Sequence, residues 1–189
     1  MFSQLRMNLL KNIGIAISLL LIAGASRVTE SALATPKPQQ TVQSTSKIKS
    51  NAVFAPILPQ LKKNSQITIL LPKQIPGSER ESKLYAVIET ATPNKYDIIL
   101  GFTPDCKGGT ACRYGSVGAE TVTNKTPRQT GKVVSLENKI TAYFTESHCG
   151  ANCSDAILTW RRKGVQYSAG LKAGKLDSVL KMANSFVAP

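Results

Sequence analysis

Four cysteines and a single histidine are the residues of this chain whose types could do covalent or metal chemistry: Cys106, Cys112, Cys149, Cys153 and His148. Three chemistries use such a set. A thiol nucleophile needs an imidazole to carry its proton, and His148 stands beside Cys149. Neighbouring side chains of an extended chain point to opposite faces, so a Cys149–His148 dyad requires a special loop. Structural zinc takes ligands at Cys-x2-4-Cys; Cys149-x3-Cys153 fits and Cys106-x5-Cys112 is wide. A redox dithiol is ordinarily Cys-x-x-Cys, which is not present in this sequence. Disulfide bonding is the third use, and compartment decides whether it applies.

The first residues argue for export. Arg6 and Lys11 supply a positive leader, and Ile13 to Ala23 is an uncharged apolar run. That run is about a dozen residues, short of the roughly 20 that span a bilayer, so it reads as a signal peptide and not an anchor. Cleavage is expected after Ala25 or after Ala34, with Ala34 favoured, which gives a signal peptide over residues 1–34. The exported chain is periplasmic or secreted, with no membrane-spanning segment left after cleavage. In an oxidising compartment an even count of cysteines reads as disulfides. Spacing leaves three connectivities open. The local pairs Cys106–Cys112 and Cys149–Cys153 each close a short loop bearing glycine, and each would stabilise by roughly 2–2.5 kcal/mol in the chain-entropy picture. Crossed pairing between the two loops is the rival.

Charge narrows the class of partner. The chain carries 24 basic and 11 acidic side chains. Removing residues 1–34 takes away Arg6, Lys11, Arg27 and Glu30 and leaves 21 against 10, a net charge of +11. Such a field favours anionic partners such as membrane surfaces, wall polymers or nucleic acid, and dispersed lysines that only keep the domain soluble are the plainer reading. The partner expected is an anionic polymer or an envelope protein, with no specific nucleic acid. The densest run is Arg161-Arg162-Lys163, and it adjoins Trp160 and lies close to Tyr167. Trp160 shares a strand face with Ala156 and Leu158, which assigns it first to the core. A ligand surface built from Trp160, Arg161, Arg162, Lys163 and Tyr167 is the alternative, because guanidinium and ring faces suit a glycan or an anionic chain.

Other residues carry less. Glu79 and Glu81, or Asp97 and Asp105, would act as paired carboxylates only if a pocket drove their pKa values apart. Gly108-Gly109 and Gly115 to Gly118 lack the Gly-Lys-Ser/Thr of a phosphate loop and read as turns. Asn124-Lys125-Thr126 and Asn152-Cys153-Ser154 match a glycosylation pattern, which carries little if the source is bacterial. No catalytic residue, metal or cofactor is assigned.

The elements that must position these residues follow from periodicity. Residues 35–52 are rich in Pro, Gln, Ser, Thr and Lys and cannot bury enough apolar surface to order, so they form a flexible basic linker. Residues 53–189, about 137 in number, can bury about two thirds of their unfolded surface. Phe54, Ile57, Leu58 and Leu61 share one face of a short helix that Pro56 and Pro59 limit. Ile67–Leu71 is an apolar run stopped by Pro72, with a turn at Pro76-Gly77. Lys83–Glu89 and Lys95–Phe102 alternate around a Thr92-Pro93-Asn94 turn and predict an antiparallel hairpin. Strands are expected again over Gly115–Val122, Lys132–Leu136, Lys139–Thr145, Ala156–Trp160 and Val165–Ala169. Glu137-Asn138 and the stretch ending in Gly164 supply the turns between neighbours. The stripe Leu176, Val179, Leu180, Ala183, Phe186 and Val187 predicts a helix from Gly174 to Val187, with Gly174 as its cap and Asp177 favoured by the helix dipole. The fold class is α+β: an antiparallel β-sheet with a short N-terminal helix and a C-terminal amphipathic helix packed on one face.

In order along the chain stand Ile57-Leu58-Pro59-Gln60-Leu61-Lys62, Ile67-Thr68-Ile69-Leu70-Leu71-Pro72, Cys149-Gly150-Ala151-Asn152-Cys153, Trp160, Gly164-Val165-Gln166-Tyr167 and Met182-Ala183-Asn184-Ser185. Together they resemble a group of small uncharacterised exported proteins of cyanobacteria over most of residues 53–189. The resemblance implies a bacterial exported domain and assigns no activity. The reading is therefore an exported non-enzymatic domain that binds an anionic envelope or extracellular partner. A structural or assembly component of the envelope is the alternative, and a thiol enzyme using Cys149 and His148 comes last.

Intact mass after alkylation of the denatured, unreduced exported protein tests this organisation. The expected result is no alkylation without reductant, four additions with it, and a mass that places the N-terminus after Ala25 or Ala34.

Overall fold

Alternation of small or apolar residues with polar ones, repeated along seven segments, builds the sheet that forms the body of the molecule. The computed structural model describes residues 49–78, 83–109 and 111–187, all within the unit spanning residues 45–189. The expected signal peptide and residues 35–48 of the expected linker lie outside the described residues. A 3-10 turn at Ala52–Phe54 is followed by α1 (Leu58–Asn64) and β1 (Leu71–Pro72). The sheet strands are β2 (Tyr85–Thr92), β3 (Lys95–Gly101), β4 (Arg113–Thr121), β5 (Lys132–Ser135), β6 (Thr141–Thr145), β7 (Asp155–Arg162) and β8 (Val165–Lys172). Helix α2 (Leu176–Asn184) and β9 (Phe186–Val187) close the chain. The class is α+β, as expected.

The seven-stranded sheet has the order β2-β3-β4-β8-β7-β6-β5, and every neighbouring pair is antiparallel. Two meanders compose it. The first runs β2-β3-β4; the chain then crosses to the far edge, and the second runs β5-β6-β7-β8 back until β8 lies beside β4. The expected hairpin around Thr92–Lys95 is β2-β3, with a bulge between Ile88 and Thr90.

One face of the sheet is apolar. Tyr96, Ile98, Leu100, Val117, Leu158, Trp160, Tyr167 and Ala169 are buried on it against Phe54, Leu61, Leu70, Leu71, Val179 and Met182. The cover therefore comes from both ends of the domain, and β1 pairs with β9 to join them. Pro59 falls in the first turn of α1, where a missing N–H costs nothing. Asn51 and Ala52, at the end of the expected linker, belong to the fold. The Asn51 N–H donates to the Pro72 carbonyl at 2.9 Å, and its side chain accepts from the Val53 N–H at 3.1 Å.

Two elements differ from their sequence patterns. Ile67–Leu70 joins no ladder. Its polar groups are served by tyrosines rising from the sheet: the Tyr96 hydroxyl donates to the Leu70 carbonyl at 2.8 Å and accepts from the Leu70 N–H at 3.2 Å. The Tyr167 hydroxyl donates to the Thr68 carbonyl at 3.0 Å. The expected helix from Gly174 to Val187 is shorter at both ends. Lys175 holds the cap position with no side-chain hydrogen bond, and α2 ends at Asn184. Gly174 instead serves the turn from β8, where a Cβ would stand 2.8 Å from that of Leu171. Phe186 leaves the helix because more is gained outside it: a ladder with Pro72 and an edge-to-face contact with Trp160 at 4.9 Å between ring centres.

Tyr96→Phe leaves both polar groups of buried Leu70 unpaired and should cost about 2–4 kcal/mol in denaturant unfolding, whereas Tyr167→Phe, facing exposed Thr68, should cost about 1 kcal/mol. Burial raises the Tyr96 pKa above its ordinary 10.0. The folded chain keeps that proton after the unfolded chain releases it, so stability should fall as pH rises above about 10. Part of that slope should vanish in Tyr96→Phe.

Candidate functional site: two opposite ends of one sheet

Antiparallel register sorts the loops into two groups. The β3–β4 loop, residues 102–112, and the β6–β7 loop, residues 146–154, leave one end of the sheet, because Gly101 pairs with Arg113, Gly115 with Leu171, and Lys172 with Asp155 across the strands. The β2–β3 turn, the start of the β4–β5 crossover, the β5–β6 turn and the β7–β8 turn all lie at the other end.

All four cysteines are at the first end, in the local pairs Cys106–Cys112 and Cys149–Cys153. The first loop folds over Ile99, which points away from the apolar core yet is only 1% exposed, and Cys106 is buried with it. In the second loop, exposed His148 closes the turn through its backbone: its N–H donates to Ser154 Oγ at 2.8 Å, and its carbonyl accepts from the Ser154 N–H at 2.8 Å. Cys149 is bonded to Cys153, so no thiolate is available there to attack a substrate, and no described cysteine is free.

Between the two loops lies a buried carboxylate that periodicity alone did not single out. Asp155, at the start of β7, is 8% exposed. Its Oδ2 accepts from Arg113 Nε at 3.2 Å, from Arg113 Nη2 at 2.7 Å and from Ser116 Oγ at 2.9 Å. Gly170, on the strand between, makes room: a Cβ there would stand 2.7 Å from Ser116 Oγ and 2.9 Å from Asp155 Oδ2. Serine beside aspartate invites a catalytic reading. Here the carboxylate is paired with the Arg113 guanidinium, and no imidazole touches the Ser116 hydroxyl. The cluster ties β4 to β7 across β8. Among the described residues no group of three or more His, Cys, Asp and Glu could hold a metal ion. Glu79 and Glu81 lie outside the described residues. Asp97 is paired with Lys95 at 2.9 Å, which raises the Lys95 pKa, and Asp105 sits in the first cysteine loop.

The opposite end is basic. Lys125 and Arg128 come from the β4–β5 crossover, Lys139 from the β5–β6 turn, and Arg161, Arg162 and Lys163 from the β7–β8 turn; all are exposed. Lys62 and Lys63 in the last turn of α1 approach the same end, since Gln66 N–H donates to the Pro93 carbonyl at 3.0 Å. The crossover is held against the hairpin by Arg161 Nη2 donating to the Pro127 carbonyl at 2.9 Å and by Val122 N–H donating to the Gly164 carbonyl at 2.8 Å. Residues dispersed along the chain thus share one surface.

The expected surface of Trp160, Arg161, Arg162, Lys163 and Tyr167 does not form as a unit. Trp160 and Tyr167 are register partners, each 2% exposed, with rings stacked 5.8 Å apart inside the core. Side chains of one strand alternate between faces, so Trp160 and Arg161 cannot share one. Arg161 lies on the outer face, where Nε donates to Gln166 Oε1 at 3.0 Å. Arg162 returns toward the apolar side and works against the burial-driven rise of the Tyr167 pKa. Lys163 occupies the tip.

Concavities lie on the helical side. One of about 580 Å³ is lined in part by Asn51, Ile75, Lys83 and Tyr85. Another of about 620 Å³ is lined in part by Lys73, Glu137, Asp177 and Lys181. Ser185 also lines the second, and its hydroxyl is engaged with backbone, accepting from the Gln74 N–H at 3.0 Å and donating to the Met182 carbonyl at 2.7 Å. No helix among the described residues is long and apolar enough to cross a membrane. No protein-family model, curated protein or solved structure matches this chain.

Removing one partner of the buried pair exposes its structural weight. Asp155→Ala and Arg113→Met should each cost about 2–4 kcal/mol in denaturant unfolding, and the double variant should cost clearly less than their sum.

Proposed function

We propose that this chain is an exported, non-enzymatic module that binds an anionic polymer of the cell envelope or its surroundings through the basic end of its sheet. The observation that carries the reading is the convergence of Lys125, Arg128, Lys139, Arg161, Arg162 and Lys163 from three separate connections onto one end. That end is distinct from the one holding the disulfides and the Arg113–Asp155 pair. Several like charges brought together on one surface raise the local concentration of a polyanion far more than the same charges spread evenly. Export is supported by the apolar leader, by the two disulfides and by the resemblance to small exported cyanobacterial proteins.

A structural or assembly role is the second reading, and one feature favours it. Val133 on edge strand β5 is 63% exposed, the large hydrophobic residue left most open to solvent among those described. An uncovered edge strand with an apolar side chain can pair with another chain.

Binding of the mature protein to a soluble polyanion, followed by titration calorimetry across salt concentrations, separates the readings. Affinity should fall steeply between about 50 and 300 mM salt, as the screening length shrinks. Lys125→Glu with Arg128→Glu should reduce binding at low salt by about tenfold or more. Lys107→Glu with Lys172→Glu, at the disulfide end, should change it little. Binding that ignores salt, or that responds equally at both ends, rejects the basic end as the site. Self-association lost in Val133→Lys, with no polymer binding, supports the assembly role instead.

A further inference from the structure

Four non-glycine residues among those described have positive φ, and two of them are lysines at the tips of hairpins on the basic end. Lys139, with φ 59°, follows Asn138, with φ 61°, in the β5–β6 turn. Lys163, with φ 48°, precedes Gly164, with φ 74°, in the β7–β8 turn. Two successive residues of positive φ give the turn whose twist matches its strands, and Asn-Gly is the pair that adopts it with least strain. This chain reads Asn-Lys in one turn and Lys-Gly in the other. Each tip therefore holds a lysine where glycine or asparagine would sit more easily, since a Cβ in the left-handed region meets the following carbonyl oxygen.

Both lysines are exposed, and among the described residues neither ammonium has an ion pair. The remaining case of the four, Ala173, with φ 51°, differs: at the disulfide end its N–H donates to the Ser154 carbonyl at 3.0 Å and anchors the turn into α2. Strain retained at an exposed charge with no ion-pair partner among the described residues points to use of the charge by something outside them.

We infer that Lys139 and Lys163 are direct anion contacts, the two turn tips forming a pair of cationic posts that one linear polyanion crosses. The inference rests on the basic end being the binding surface. Because β6 and β7 are neighbours, the two turns stand two strand spacings apart, about 10 Å. A linear chain that carries a charge on every repeat can reach both posts at once, with intervening charges between them. A membrane surface is the poorer fit, because the tips carry Glu137, Asn138, Arg162 and Gly164 beside the lysines and no apolar side chain that could enter a bilayer.

The test uses the full mature protein with inorganic polyphosphate and polygalacturonate as probes, in low salt, and records thermal midpoints for the same variants. Lys139→Gln and Lys163→Gln keep the backbone cost and remove the charge; each should weaken binding roughly threefold to fivefold and leave the midpoint unchanged. Lys139→Gly and Lys163→Gly should weaken binding to the same degree and raise the midpoint by about 3 °C. A preference for one probe assigns the anion as phosphate or carboxylate. Glutamine variants that bind like the unmodified protein, while Lys125→Gln with Arg128→Gln weakens binding, reject the turn lysines and leave the basic end standing. If neither set changes binding, both readings fail. Glycine variants that gain no thermal stability overturn the strain argument. Capture by anionic vesicles without binding to either polymer overturns the linear ligand.

Discussion

Everything in this fold depends on covering one apolar face of a seven-stranded sheet with chain drawn from both ends of the domain. A sheet with a single buried face is stable only if another layer excludes water from it. Here that layer is assembled from Ala52–Pro72 and from α2 with β9. The polar groups of that layer must be satisfied where they enter the core. The Tyr96 and Tyr167 hydroxyls do this by bonding the backbone of residues 68 and 70, in place of a further ladder. The two-stranded ladder of Leu71–Pro72 with Phe186–Val187 then locks the two ends of the domain together. Trp160, stacked on Tyr167 and met edge-on by Phe186, stands where sheet and cover join.

Antiparallel geometry has a second consequence. Hairpin connections alternate between the two ends of the strands, so each loop belongs to one end or the other. The end with long loops, which have few backbone partners of their own, receives the covalent links and the buried Arg113–Asp155 pair. Closing a short loop covalently limits the unfolded chain and keeps an irregular segment in one shape. At the other end the hairpin turns are held by the strands beside them, and the start of the β4–β5 crossover is held by hydrogen bonds to the β7–β8 hairpin. The surface of that end is free to carry charge, and lysines occupy even those backbone positions that disfavour them.

Most elements were legible where periodicity was strong and local. The β2–β3 hairpin, the turn at Glu137-Asn138, the β7–β8 hairpin before Gly164 and the amphipathic stripe of α2 could be read from neighbouring residues alone. Ile67–Leu71 reads as a strand because its residues suit one, yet only Leu71 joins a ladder, and the backbone of Thr68 and Leu70 is met by tyrosines from residues 96 and 167. Phe186 fits the helical stripe, and only its contact with Trp160 and its pairing with Pro72 show why it leaves the helix. Asp155 gave no local signal, since its partners Arg113 and Ser116 lie about forty residues away in sequence and Gly170 becomes its neighbour only through the register of β8.

The sequence by itself determined the class of fold, the strongly cationic character and the local pairing tendency of the cysteines, because composition, hydrophobic alternation and short loop closure act between near neighbours. It also placed Trp160 with Ala156 and Leu158 on one strand face, which is a matter of period alone. The tertiary structure decided which loops share an end, and with it the separation of the disulfides from the basic surface. That outcome follows from β8 lying beside β4, a contact between strands joined by a long crossover and a second meander. No local pattern encodes such a pairing, because its free energy comes from burying a face that exists only once all seven strands are assembled.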